Sequence, residues 1–127
     1  MMWLTVLQAL FGPIGAQDLP AQGCAAYLWS LSEPPALVAK AEPTRLRVHL
    51  GGKVTELARA TAEGDAGLGL ARRTRYASAE AAVTLELQIE QRPDLTKGGL
   101  AREGTLTLER SGQDAVVTPV AGMVGCR

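Results

Sequence analysis

Apolar and polar residues alternate with a period of two over much of this chain. In residues 83–90, Val, Leu, Leu and Ile fall on one face, and Thr, Glu, Gln and Glu fall on the other. This pattern predicts an antiparallel strand that buries one face. Residues 105–109 repeat it before the turn cluster 111–114 and the run 115–118, so a hairpin is predicted there.

A second hairpin is predicted around Gly51-Gly52, because residues 45–50 and 53–57 alternate on either side of it. No segment carries apolar residues at helical spacing for three turns, although residues 54–62 are compatible with two helical turns. Pro34-Pro35, Pro43 and residues 61–69 and 92–99 interrupt the pattern. The sequence therefore predicts an all-β fold of about seven or eight strands, either a small antiparallel barrel or a two-sheet sandwich.

The N-terminus has the features of an export signal. Residues 3–11 are uncharged and too short to span a bilayer, and Gly12-Pro13 follows them. We predict a signal peptide over residues 1–16, cleaved after Ala16, and a single β domain over residues 17–127. The alternative is that this apolar segment is a buried strand of the domain. With cleavage, the protein is periplasmic or secreted.

The two cysteines lie near the two ends of the predicted domain. We expect Cys24 and Cys126 to form a disulfide, because lone cysteines at opposite ends fit an oxidising compartment and neither has a CxxC partner. Residues 21–24 also have a faint similarity to a lipobox, which gives the alternative of a lipid anchor at Cys24. That alternative would leave Cys126 as a free thiol.

Composition excludes several classes of partner. The 127 residues suffice for one domain, and the 13 basic and 13 acidic side chains balance. A neutral chain has no bulk field that attracts nucleic acid, so we predict no nucleic-acid partner. Beyond the leader the aromatic residues are Tyr27, Trp29 and Tyr76, which offer few platforms for stacking sugars or bases.

No motif for catalysis, for a cofactor or for a metal is present. His49 is the only histidine, and by strand parity it shares a solvent face with Arg45 and Arg47. A hydrolase that uses His49 as a base is one alternative, but no nucleophile or carboxylate lies near it in a motif. We therefore predict a protein that is not an enzyme, with no cofactor and no metal site.

The candidate binding residues are arginines. Arg72, Arg73 and Arg75 are clustered in the sequence, and on a strand Arg73 and Arg75 project together while Arg72 points the other way. Arg45 and Arg47 extend this patch if their strand is a neighbour. Such a patch would bind a carboxylate-rich protein surface or a phosphorylated envelope polymer through paired guanidinium contacts.

The alternative for these arginines is a solvated strand face. In that case Glu86 and Glu90 balance them across the sheet.

Part of the chain resembles small, functionally uncharacterised exported bacterial β-proteins. The resemblance rests on residues 83–87, 92–95, 104–108 and 120–126, and it implies no particular activity. In size and in its end-to-end disulfide, the chain is also similar to periplasmic lysozyme inhibitors, which are small antiparallel barrels. The Ser-Gly-x-x-Tyr-like loop of those inhibitors has no counterpart here, because Ser78 follows Tyr76 and no Tyr follows Ser111-Gly112.

Together these features predict a non-catalytic exported β-domain that binds a protein or another envelope component, with no integral membrane span and as a monomer. The alternatives are a small-ligand carrier with an apolar barrel interior, an inhibitor of a cell-wall hydrolase, and the His49 hydrolase.

Overall fold

The computed structural model describes residues 11–92, 94 and 98–127. Residues 1–10 of the predicted leader lie outside the described residues, as do residues 93 and 95–97 of the predicted turn between 92 and 99. Among the described residues, no helix is long and apolar enough to cross a membrane.

Eight strands form a closed antiparallel barrel in which each strand pairs with the next one and the last pairs with the first. The strands are β1 (Cys24–Ser30), β2 (Leu37–Ala41), β3 (Arg45–Leu50), β4 (Lys53–Glu63), β5 (Arg73–Ala77), β6 (Ala81–Gln91), β7 (Gly98–Arg110) and β8 (Val116–Cys126). The all-β prediction is confirmed, and of its two forms the barrel is the correct one.

The strands that were predicted from alternation are present. Residues 83–90 lie in β6, residues 105–109 lie in β7, and β3 and β4 form the hairpin that turns at Gly51 and Gly52. The helical alternative for residues 54–62 is wrong, because this segment pairs with β3 on one side and with β5 on the other. Gly98 and Gly99 were predicted to interrupt a strand, yet they begin β7, buried opposite β6 and β8.

The barrel closes along β1 and β8, which pair over seven positions from Cys24 opposite Cys126 to Ser30 opposite Val120. At the end of this ladder, Cys24 and Cys126 form a disulfide, as predicted. The two strands also approach closely at Gly122, where a Cβ would overlap the carbonyl oxygen of Tyr27 and come within 2.9 Å of its carbonyl carbon. Glycine at this position therefore permits closure.

Strand β7 contains a bulge that reverses which residues face the core. In its ladder with β6, Glu103 lies opposite Gln88 and Ala101 lies opposite Ile89, so Arg102 is an extra residue without a partner. After the bulge the buried side chains are at even-numbered positions, Leu106 and Leu108, whereas directly before it the buried side chain is at an odd-numbered position, Ala101. The bulge thus pushes Arg102 and Glu103 outward together, and both are exposed.

Side chains fill the centre of the barrel. Residues from all eight strands form one buried cluster, and its largest fully buried members include Leu28, Leu46, Leu57, Tyr76 and Leu106. The hydroxyl of Tyr76 donates a hydrogen bond to the carbonyl oxygen of Glu42 at 2.8 Å. Burial raises the pKa of Tyr76 to about 12, so this hydroxyl stays protonated and keeps its bond at neutral pH.

The segment before β1 runs across the outside of the barrel. The side chain of Gln17 accepts a hydrogen bond from Arg47 at 2.6 Å, and the carbonyl of Asp18 accepts one from the hydroxyl of Tyr27 at 2.7 Å. Arg127 donates from its Nε to the carbonyl of Pro20 at 2.9 Å. Residues 11–16, which the sequence assigns to the leader, also contact the barrel, with Ile14 buried and Phe11 packed against the core cluster.

We expect replacement of both cysteines, Cys24→Ser with Cys126→Ser, to lower the free energy of unfolding by about 4–5 kcal/mol, the chain-entropy value for a loop of about 100 residues. The two cysteines are separated by 102 positions, so the bridge restricts most of the unfolded chain. Urea unfolding of the oxidised wild type and the double variant measures the difference. Equal unfolding midpoints would contradict the expectation.

We expect Gly122→Ala to destabilise the fold by about 1–3 kcal/mol or more, because the added methyl group meets backbone rather than a movable side chain. Gly112→Ala is the control, since a Cβ there meets nothing within 4 Å, although its φ of 75° adds some backbone strain. In thermal unfolding, the midpoint temperature should be highest for the wild type, lower for Gly112→Ala and lowest for Gly122→Ala. A lower midpoint for Gly112→Ala than for Gly122→Ala would contradict a close approach of β1 and β8 at Gly122.

Candidate functional site

An open groove of about 620 Å³ lies on the barrel surface. We call it the Arg72 groove. Its lining residues come from the end of β4, the start of β5, the middle of β6, β7 and β8, and the loop after β1. They are Leu31, Glu63, Arg72, Arg73, Glu86, Leu87, Gln88, Arg102, Glu103, Gly104, Thr105, Pro119 and Val120.

Two of the predicted binding arginines line this groove. Arg72 lies just before β5, where its carbonyl accepts a hydrogen bond from the amide of Leu87 at 2.9 Å, so its backbone is fixed to β6. A Cβ added at Gly64 would lie 3.1 Å from the Cζ of Arg72, so the guanidinium lies close against the loop backbone. Arg73 is the first residue of β5, and its Nη1 is 3.7 Å from Oε2 of Glu86.

The charges in the groove are mixed. Arg73 pairs with Glu86, and Arg102 pairs with Glu90, which is close by on β6. Arg72, Glu63 and Glu103 have no ion pair among the described residues. The groove therefore presents a cation and two carboxylates that remain available to a ligand, beside two exposed ion pairs.

One end of the groove is apolar. Leu31, directly after β1, is 63% exposed, the largest value among the exposed large hydrophobic side chains of the described residues. Pro119 on β8 is also exposed, and the buried side chain of Val120 lies beneath them. A single exposed leucine on a protein surface is common and needs no explanation. A groove that combines an exposed leucine with arginines has a composition that is typical of protein interfaces.

The other predicted arginines lie elsewhere. Arg75 is on β5 beyond the groove, with its Nη2 3.8 Å from Oε1 of Glu109. Arg45 and Arg47 do not extend the patch, because β4 separates their strand from β5. Both are instead paired with Glu56 on β4.

Glu56 is the centre of that separate ion-pair cluster. Arg47 donates from Nε at 2.9 Å and from Nη2 at 2.5 Å to Oε2 of Glu56, and Nη1 of Arg45 is 3.5 Å from Oε1. The hydrogen bond from Arg47, with the charges of Arg47 and Arg45, holds the pKa of Glu56 below its ordinary value of 4.5 despite some desolvation. These two arginines are therefore committed to a structural contact.

His49 lies on the outer face of β3, on the same parity as Arg45 and Arg47. It lies under the N-terminal segment, since its carbonyl accepts a hydrogen bond from Gly12 at 3.1 Å and its imidazole lies against that glycine. Within the part of the chain that the structure describes, no group of three or more His, Cys, Asp or Glu side chains is placed to hold a metal ion.

A second opening, of about 280 Å³, lies where the β3–β4 hairpin meets the turn between β5 and β6. It is lined partly by Leu50, Leu57 and Arg110. Its volume is just below the range for small-molecule sites, which is roughly 300–1,000 Å³. The carrier alternative requires an apolar cavity in the barrel interior, whereas this opening is lined in large part by polar and charged residues, among them Lys53 and Glu80.

Sequence reasoning missed the apolar and β7 parts of the Arg72 groove. The signal for Leu31 was an uncharged large residue directly before the polar loop 32–35. Arg102 and Glu103 carried no such signal, because a bulge interrupts the alternation from which the orientation of side chains is read.

Comparison with known proteins adds no relative: no family model matches the chain, and no curated protein and no solved structure matches it. The function of this protein is therefore inferred from the groove and its chemistry.

We expect Glu56→Gln to reduce the loss of stability in acid. The lowered pKa of Glu56 means that its stabilising effect is complete above the ordinary value of 4.5 and is lost as the pH falls through the lower folded value. The side chain is 42% exposed, so the effect is that of a surface pair, about 0–1 kcal/mol. Urea unfolding at neutral pH and in acid should give a smaller difference for the variant than for the wild type.

The control for this prediction is Glu33→Gln. Glu33 is exposed in the loop after β1 and has no ion pair among the described residues, so this variant should keep the wild-type dependence on pH. A Glu56→Gln variant with the full acid dependence of the wild type would contradict the role of the Arg47 contact.

Proposed function

We propose that this protein is a non-catalytic, exported binding module, and that the Arg72 groove binds an extended segment of another protein. The single observation that carries the proposal is the composition of the groove, where an exposed leucine and a proline lie beside arginines and carboxylates. Export is supported by the apolar leader and by the Cys24–Cys126 disulfide, which is compatible with an oxidising compartment.

The charges of the groove favour a polypeptide over a polyanion. A phosphorylated envelope polymer carries charge of one sign and would meet Glu63, Glu86 and Glu103 as well as the arginines. Like charges brought together in a binding site oppose association. A protein segment instead supplies a carboxylate for Arg72, a basic side chain for Glu63 or Glu103, and an apolar side chain for the region of Leu31.

Arg72 and Arg73 are suited to different parts of this task. Arg72 has no ion pair among the described residues and is held by its backbone, so its guanidinium is ready to bind a carboxylate through two hydrogen bonds. Arg73 is 57% exposed and 3.7 Å from Glu86, a separation longer than a hydrogen bond. A partner carboxylate can therefore compete for Arg73 at little cost.

The disulfide bears on the mode of attachment. The sulfur of Cys24 is bonded to Cys126, and a lipid anchor would need that same sulfur. In our proposal, the exported chain therefore carries no lipid at Cys24. Without that anchor, it can diffuse to its partner.

Photo-crosslinking tests the proposal most directly. A benzophenone amino acid replaces Leu31 in the groove or Val117 outside it, two apolar positions that are 63% and 60% exposed. After irradiation in envelope extract of the source cells, we expect the Leu31 position to capture a protein segment that contains both acidic and basic residues. The Val117 position should not capture that segment. Capture of polymer alone, or the same products from both positions, would refute the groove as a protein site.

We expect Arg72→Ala to weaken binding of the captured segment about tenfold or more, the loss expected when a hydrogen-bonded charged contact worth about 1.5–3 kcal/mol is removed. Arg75→Ala removes the same charge from the adjoining strand but outside the groove, so it should change the affinity less than twofold. Titration of a synthetic copy of the segment measures both. Equal losses in the two variants would mean that only net charge matters.

A further inference from the structure

The ladder between β2 and β3 is short, and the N-terminal segment continues it. The two strands pair with each other only where residues 39–41 lie opposite residues 46–48. Beyond that point, the amide of Gly12 donates to the carbonyl of His49 at 3.1 Å, and the amide of Ile14 donates to the carbonyl of Leu37 at 2.9 Å. One extended segment thus joins the two strands where their own pairing stops. We call this place the β2–β3 slot.

Two features of the slot select what it holds. A Cβ at Gly12 would come within 2.8 Å of Cε1 and 3.0 Å of Cγ of His49, so any larger residue at this position has to displace the imidazole. The side chain of Ile14 is 7% exposed, so the position two residues later buries an aliphatic side chain. The slot therefore fits an extended Gly-x-aliphatic sequence.

The predicted cleavage after Ala16 would open the slot. It would remove Gly12 and Ile14, and the carbonyls of Leu37 and His49 would lose the donors that satisfy them in the full chain. Strand edges with free backbone acceptors are sites at which another chain adds as a strand, with pockets for particular side chains giving specificity.

We propose that the β2–β3 slot is a second binding site, which takes an extended segment of a partner protein with glycine two residues ahead of an aliphatic residue. In the uncleaved chain, residues 11–14 occupy it and block the partner. The slot shares no residue with the Arg72 groove, but its opening rests on the export and cleavage that the proposed function assumes. The test below uses the uncleaved chain, so it judges the slot and leaves the Arg72 groove untouched.

The test uses the full chain with its own segment released. In Ile14→Asp, a carboxylate would have to be buried in the slot, which is strongly unfavourable, so we expect the segment to leave. A fluorescent peptide with the sequence of residues 10–17, Leu-Phe-Gly-Pro-Ile-Gly-Ala-Gln, is then titrated and followed by anisotropy. We expect saturable binding at one peptide per chain, and at least tenfold weaker binding to the wild type.

The matched control is Leu19→Asp. Leu19 belongs to the same N-terminal segment and is 45% exposed, outside the slot, so this variant should resemble the wild type. Peptides with Asp in place of the isoleucine, or with Val in place of the first glycine, should bind Ile14→Asp at least tenfold more weakly than the parent peptide.

A second variant, Gly12→Val, releases the segment by collision with His49 and leaves Ile14 intact. This variant replaces Ile14→Asp in the test if Ile14→Asp fails to give a folded NMR spectrum. In both variants, faster exchange of the amides at positions 12 and 14 reports that the segment has left the slot. Binding of the parent peptide to a released variant, with loss for both altered peptides, supports the slot. Released variants that bind no peptide, equal binding of the altered peptides, or amides that stay protected in both variants would each overturn it.

Discussion

The pairing of β1 with β8 is the constraint on which the rest of the structure depends. These two strands are far apart in sequence, and their ladder converts a row of eight strands into a barrel without free edges. The disulfide between Cys24 and Cys126 holds the first pair of that ladder, and Gly122 allows the backbones to meet further along it. Closure brings Leu31 beside Pro119 and Val120, so the apolar end of the Arg72 groove exists only because the barrel is closed.

Closure also explains why the surface divides into regions of different chemistry. The described outward positions of β8 include Val117, Pro119 and Met123, and the strand carries no charged residue. On β5 and β6 the outward positions hold Arg73, Arg75 and Glu86. Arg73 pairs with Glu86 on the neighbouring strand, and Arg75 pairs across β6 with Glu109 on β7. The Arg72 groove lies at the boundary between these regions, so its lining combines apolar surface and charge.

Alternation predicts the fold where one face is polar, and fails where it is not. Strand β6 could be predicted from the sequence because its solvent face carries polar residues such as Glu86 and Gln88. Strand β1 was not predicted, and of β8 only the start was, in the hairpin that includes residues 115–118. Both faces of these two strands are largely apolar, so the period of two disappears. The positions of the cysteines suited both a barrel, in which the first and last strands pair, and a two-sheet sandwich. Only the pairing of β1 with β8 distinguishes the barrel from the sandwich.

The candidate site was predictable only in part, for a topological reason. Arg72 and Arg73 were identified from their clustering in the sequence, and both line the groove. Grouping them with Arg45 and Arg47 required β3 and β5 to be neighbours, and β4 lies between them. His49 was expected on a solvent face, and its contact with Gly12 depends on a segment that composition assigns to the leader.

The bulge in β7 has a consequence for how such a protein evolves. One extra residue at Arg102 shapes a wall of the groove, while Leu106 and Leu108 after it and Ala101 before it remain in the core. Deletion of this one residue would remove the bulge and change the wall of the groove, while the buried positions on either side would still face the core. A change of length in this single strand can therefore alter the outer surface of such a barrel while its interior is kept.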